Sequence, residues 1–239
     1  MKYFVSTLCV LVIAMIIWML YSYEFIANMA DEEATQHRTN RVLEGVATAF
    51  STGIVRDASG RPYRTVTIGE QTWMAEDLHY APAECADGQP LEFVDGLERG
   101  PGVKLYVTNP RYAYYNGDST TGWGLIYNHA AVMQCELCPE GFRVPSKKDW
   151  DVLIETLGGS IIAGKRMLPG GDTGFEAVPA GRIDDYGSVL GNEFVFWWTS
   201  DYAPTKREVE AYSAELRING EYKMKGQDAR MGAYLRCVK

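Results

Sequence analysis

The chain has 239 residues, 46% of them hydrophobic, and a formal net charge of −8 at pH 7. With a pI near 5.0 it lacks the basic surface that nucleic-acid binding requires. The length suits one membrane segment plus one domain with a sizeable core.

Tyr3 to Leu20 carries no charge, and only Ser6 and Thr7 break it as polar residues. A run of about 18 apolar residues crosses a bilayer as a helix, whereas a signal-peptide core is usually about 7–15. Lys2 precedes the run, and Glu24, Asp31, Glu32 and Glu33 follow it. The positive-inside rule then places the N-terminus in the cytoplasm and everything after Tyr23 outside. The expectation is an uncleaved single-pass signal-anchor over residues 1–23, with Cys9 as a membrane-buried thiol. The alternative is cleavage near Ala27 or Ala30 and secretion. Residues 24–50 space Phe25, Ile26, Met29, Ala34, Val42, Leu43, Val46 and Phe50 at threes and fours, a stalk helix. Gln36-His37-Arg38 interrupts the heptads, which argues against a coiled coil.

From Gly53 the period changes to two. Ile54-Val55-Arg56 and Tyr63 to Ile68 flank the turn cluster Asp57-Ala58-Ser59-Gly60, an opening hairpin. Gly69-Glu70-Gln71 turns into Thr72-Trp73-Met74. Ala81 to Arg111, rich in Gly, Pro and Asp, reads as a long surface excursion. Asn128 is placed to cap a short helix through Met133. Pro145 keeps Val144 extended, Ser146 and Asp149 form a capping box, and Trp150, Leu153, Ile154 and Leu157 make one apolar stripe. Gly158-Gly159 ends that helix.

Gly164 to Gly191 reads as mostly loop, with Phe175 and Val178 docking inward. Phe194 to Trp198 is a continuous apolar run, a strand buried on both faces. Tyr212, Ala214, Leu216 and Ile218 alternate with Ser213, Glu215, Arg217 and Asn219, which predicts a half-exposed strand. Asn219-Gly220 is the strongest hairpin signal, leading to Tyr222 and Met224. Leu235 and Cys237 close the sheet. The class is α+β: a few helices around a small, twisted antiparallel sheet, with long loops.

The segment CPEGFRVPSKKDWDVLIETLGG (Cys138–Gly159) resembles the central motif of the Fibrobacter succinogenes major paralogous domain family. YRTVTIGEQTWMAEDL (Tyr63–Leu78), GLIYNHAAVM (Gly124–Met133), GFEAVPAGRI (Gly174–Ile183) with FWWTSDY (Phe196–Tyr202), and the terminal GAYLRCVK are similar to that family in the same order. Residues 51–239 are accordingly identified as the family's domain. The Arg-Val-Pro-Ser and Arg-Cys-Val elements also resemble C-type-lectin-like and formylglycine-generating-enzyme folds. The resemblance implies a lectin-like domain without a settled activity.

Four cysteines lie beyond the membrane run: Cys85, Cys135, Cys138 and Cys237. An even count in an exported chain implies two disulfides with three pairings open. The family resemblance implies Cys138–Cys237 and Cys85–Cys135. Cys135-Glu-Leu-Cys138 also fits a redox pair or half a zinc site. Zinc needs further ligands, and His37, His79 and His129 stand isolated. The cysteine pair of formylglycine-generating enzymes follows the shared motif, whereas here the close pair precedes it. No nucleophile elbow, phosphate loop or metalloprotease motif is present. Asp184-Asp185, Glu193 and Asp201 are the loop acids that calcium would use, without a ligand spacing to fix it. No cofactor is predicted.

Tyr106, Tyr112, Tyr114, Tyr115 and Trp123 crowd a Gly/Asn/Asp-rich stretch. Flat rings beside amides and carboxylates suit sugars. Alternation puts Tyr112 and Tyr114 on one face and Tyr115 on the other. Tyr112, Tyr114, Asn116 and Asp118 are the candidate ligand contacts. Trp73, Trp150, Trp197 and Trp198 read as core. The functional expectation is a non-enzymatic, membrane-anchored binding or adhesion module of the cell envelope, displayed in the periplasm or extracellularly, with a glycan or an envelope protein as partner. The alternative is a formylglycine-generating-type enzyme, or a thiol oxidoreductase using Cys135 and Cys138.

Overall fold

The computed structural model describes residues 50–94, 108–183, 189–204 and 210–239. The expected anchor over 1–23 and, apart from Phe50, the stalk over 24–50 lie outside the described residues. Among the described residues no helix is long and apolar enough to cross a membrane.

The domain opens as expected. Strand β1 (Ser51–Arg56) pairs antiparallel with β2 (Pro62–Ile68), and β2 with β3 (Gln71–Met74). Asp57 fixes the first turn: its carboxylate accepts from Ser59 N, Ser59 Oγ, Arg61 N and the buried Tyr63 hydroxyl. Those donors outweigh burial, which alone would raise the carboxyl, and hold Asp57 below its ordinary value. The excursion that follows contains β4 (Glu92–Phe93), parallel to β5 (Arg111–Ala113), which pairs antiparallel with β6 (Ile126–Tyr127).

Helix α1 (His129–Gln134) begins at Asn128, whose side chain accepts from Ala131 N. Helix α2 (Lys147–Thr156) carries the full capping box: Ser146 Oγ accepts from Asp149 N, and the Asp149 carboxylate accepts from Ser146 N. Trp150, Leu153 and Ile154 are buried from it. Gly158 and Gly159 both have positive φ, conformations that stop a helix without a Cβ penalty. They stop α2 only to start another. Helix α3 (Ser160–Met167) occupies ground read as mostly loop beyond Gly164, because the Gly-Gly pair forms a corner between helices. Two short strands, β7 (Arg182–Ile183) and β8 (Val189–Leu190), pair antiparallel further on.

Strand β9 (Phe194–Tyr202) pairs with β10 (Glu210–Arg217), which pairs with β11 (Tyr222–Asp228), all antiparallel. Val195 and Trp197 face one apolar cluster, with Trp73, Trp150 and Phe175. Phe196 and Trp198 face the other, with Tyr63, Met74, Leu78 and Tyr127. A strand between two cores must be apolar at every position, which explains the continuous run.

The half-exposed reading of β10 is corrected. Ser213 and Glu215 are buried along with Ala214 and Leu216, because β10 is the middle strand and Arg182, Gln227 and Met231–Ala233 gather over the Ser213 side. Glu215 is neutralised there by Arg217 and by Lys225 of β11. At the hairpin end Asn219 is exposed as the alternation implies, but so is Ile218, which the alternation grouped with the inward residues.

Nor is there one sheet. Three three-stranded sheets and one two-stranded sheet are present among the described residues. The C-terminal segment Gly232–Lys239 laces them, bridging Ile183, Tyr127, Trp197, Trp73 and Arg143. The backbone is mixed α and β with few helices, as expected at the coarser level.

Candidate functional site

The C-terminal segment runs beside β3 and its extension. Thr72, Met74 and Leu78 amides donate to the carbonyls of Lys239, Cys237 and Leu235. That register brings Arg236 (1% exposed) against Asp77 (7%). Arg236 Nε donates to Asp77 Oδ1 at 2.5 Å, and the Trp197 indole N–H donates to the same oxygen at 2.7 Å. The guanidinium lies 4.5 Å from the Phe175 ring and 5.3 Å from that of Trp197. A desolvated cation so placed gains from both ring faces.

The other two guanidinium nitrogens donate to Phe175 O and Glu176 O. In extended chain, successive carbonyls point to opposite sides. Turning two consecutive ones toward a single guanidinium requires a different backbone at the second residue. Glu176 accordingly has φ 51°, the one non-glycine residue with positive φ among the described residues. Such a conformation costs an L-residue about 1 kcal/mol or more. Ala177 N donates to Met167 O, and Thr173 Oγ1 bonds Arg166 O and Phe175 N, so the loop is pinned at both ends.

Above this pair opens a cavity of about 420 Å³, within the roughly 300–1,000 Å³ typical of small-ligand sites. Asp77 and Arg236 form its floor; Arg64, Glu76, His79, Trp123 and Glu176 are the other chemically active walls. Arg64 and Glu76 hold each other: Arg64 N and Nε donate to Glu76 Oε1 at 3.1 and 2.9 Å. Burial, with the charge of Arg61 adding to it, holds His79 below its ordinary value, and its ring N–H is bonded to the Gly122 backbone. Trp123 is half-buried, edge-on to Tyr115 at 4.9 Å. Gly124 lets this loop close down: a Cβ there would stand 2.5 Å from Asp77 Cβ and 2.8 Å from Leu78 O.

Chemically the site offers an apolar ring wall and several fixed hydrogen-bonding groups. The Glu176 carboxylate has no bond or ion pair among the described residues. Such a surface can stack a ring and satisfy hydroxyls or an ammonium.

The sequence-predicted contacts lie elsewhere. Tyr112 and Tyr114 share a face, as the alternation implies, and both are half-buried against Phe93, at 5.4 and 5.6 Å. Phe93 itself is 50% exposed. Tyr115 turns the other way, its hydroxyl donating to Asn192 Oδ1. Asn116 sits in the 3-10 turn Tyr115–Gly117. Asp118 is exposed and accepts from Thr120 N and Oγ1, which lowers its carboxyl. Of these, Tyr112, Tyr114, Tyr115 and Asp118 do not line the cavity. Tyr106, Asp184 and Asp185 lie outside the described residues. Glu193 is exposed, and Asp201 accepts from Lys147 N at the start of α2. No cluster of three or more His, Cys, Asp or Glu that could hold a metal ion is found among the described residues.

The disulfides join Cys85 to Cys135 and Cys138 to Cys237, the two pairs implied by resemblance. The close cysteines are thus split between bridges, which leaves no Cys135–Cys138 bond for an oxidoreductase. His129 is buried, with Nε2 2.8 Å from Thr199 O and its ring between Trp198 and Tyr202, remote in role from His79.

Sequence reasoning missed Asp77, Arg236, Glu176 and the lining role of Trp123. One signal was present: Arg236 stands inside Tyr234-Leu235-Arg236-Cys237-Val238, and a charge within an apolar run marks a buried pair. Its partner is 159 residues away, beyond the reach of local pattern.

Residues 66–239 match the model of a family described as the Fibrobacter succinogenes major domain. No curated protein and no solved structure matches the chain.

Proposed function

The chain belongs to the Fibrobacter succinogenes major domain family, and from that premise we propose that it is an extracytoplasmic binding module of the cell envelope. In this reading the Tyr3–Leu20 run holds it in the membrane, and the cavity beside Trp123 takes a polar, ring-bearing ligand such as a glycan. The two disulfides support the compartment, since such bonds persist in oxidising surroundings. They are compatible with an extracellular or periplasmic module.

The observation that carries the binding reading is how the cavity's charges are held. Arg236 and Asp77 are locked in the floor, and Arg64 and Glu76 hold one another on the wall. Groups fixed in this way give a shaped set of donors and acceptors around an aromatic wall. That is the design of a recognition site, with a few placed polar groups setting orientation. The exposed Phe93, with the half-buried Tyr112 and Tyr114 against it, supports a second stacking surface. The test is a glycan array probed with the full-length chain, followed by affinity measurements on Trp123→Ala and on Tyr112→Ala. Loss on the first variant alone places the ligand in the cavity, loss on the second alone places it on the trio, and an array without binders refutes the glycan reading.

A further inference from the structure

Resting on the reading of the cavity as a binding site, we propose that its ligand carries a protonated amino group, held by the Glu176 carboxylate beside the Trp123 ring. The charge balance is the first support. Arg64 and Arg236 bring two positive charges to the lining, and Glu76, Asp77 and Glu176 bring three negative. Arg64–Glu76 and Arg236–Asp77 cancel as direct ion pairs. One negative charge remains, and it belongs to Glu176.

The second support is the absence of any partner for that carboxylate among the described residues. A half-buried acid without a counter-charge is a ready acceptor for a cation. Trp123 supplies the other half of such a site, because an ammonium is drawn to the face of an indole.

The third is the backbone. Glu176 occupies a φ of 51° that glycine adopts freely and glutamate does not. Arg236 needs only the carbonyls of Phe175 and Glu176 to tie the loop. Glycine would supply the same carbonyl with less strain, so the carboxylate is what the strain retains.

An amino sugar satisfies all three: its ring stacks on Trp123, its hydroxyls meet the paired side chains, and its ammonium meets Glu176. The experiment compares the β-methyl glycoside of glucosamine with its N-acetylated counterpart, titrated into the full-length protein at pH 6. There the glucosamine amine is protonated. The free amine should bind about tenfold tighter, and added salt should shrink the difference.

Glu176→Gln and Glu176→Gly should both abolish the preference. The loss should fall on the free amine far more than on the N-acetylated form, and Glu176→Gly should melt no lower than the parent. Glu155→Gln, an exposed acid on α2 outside the cavity, should leave the preference intact. Equal affinity for the two glycosides, or a preference that survives Glu176→Gly, overturns the amine proposal while the glycan reading stands. So does a preference that Glu155→Gln erodes equally, since the attraction would then be the general field of an acidic protein. If neither glycoside binds, the amine proposal fails, while the glycan reading is decided by the array.

Discussion

Replacing Arg236 by methionine keeps much of the side chain's bulk and removes its charge. Asp77, 7% exposed, then keeps the Trp197 indole as its one side-chain donor among the described residues. Breaking a buried ion pair by deleting one partner costs about 3–5 kcal/mol. The carbonyls of Phe175 and Glu176 also lose their donor, at about 1–3 kcal/mol for each group left unsatisfied. These losses overlap, since relaxation at one relieves the other. We therefore expect a total of about 4–5 kcal/mol, a large share of the roughly 5–15 kcal/mol of a typical domain. At about 2–4 °C per kcal/mol for a domain of this size, the melting temperature falls by about 8–20 °C. Asp77→Asn combined with Arg236→Met removes both charges and leaves mainly the two carbonyls unsatisfied. The double variant should lose only about 2–3 kcal/mol, less than Arg236→Met alone. The assay is thermal and urea unfolding of the four members of the cycle without reductant. A cost below about 1.5 kcal/mol for Arg236→Met, or a double variant equal to the sum of the singles, would refute the reasoning.

Opening Cys138–Cys237 by serine replacement at both positions should destabilise the domain by about 4–5 kcal/mol, from a separation of 99 residues. Unfolding of the oxidised and doubly substituted proteins in urea gives that difference directly. Burial raises the Asp149 carboxyl, but Arg143 and the Ser146 amide and hydroxyl bring it down from 3.8 to about 2. A depressed carboxyl stabilises above its unfolded value and loses that contribution as pH falls through the folded one. The α2 cap should hence weaken between about pH 4 and 2, and Asp149→Asn should flatten the stability profile in that window. Gly164 packs α3 against the β10–β11 turn: a Cβ there would stand 2.0 Å from Gly220 O and 2.8 Å from Leu216 Cδ1. Gly164→Ala should cost about 2–3 kcal/mol in chemical denaturation, because the Gly220 carbonyl it would strike is backbone and cannot swing aside.

Local signals carried most of the fold's elements into view. The capping box at Ser146 and Asp149, the cap at Asn128, the Asp57–Gly60 hairpin and the Asn219-Gly220 turn each depend on residues within four positions. What stayed illegible depends on distant covering. Ser213 and Glu215 alternate like a solvated strand, and only Arg182 and residues 227–233 make that face interior. Gly158-Gly159 signals a helix end, which it is, but not that α3 begins at the next residue. In the site, alternation placed Tyr112 and Tyr114 together correctly, yet the cavity arises from Asp77, Trp123, Glu176 and Arg236. These come from four separate parts of the chain. Their meeting is set by the C-terminal segment lying along β3, a long-range pairing with no local sequence trace.

The most direct test of the central claim is the affinity of the full-length protein for its best array glycan, before and after Trp123→Ala. The account predicts a loss of about tenfold, as for other aromatic contacts, with a melting temperature close to the parent's, because Trp123 is half-buried and lines an open cavity. Undiminished affinity in Trp123→Ala, with loss in Tyr112→Ala instead, would contradict it.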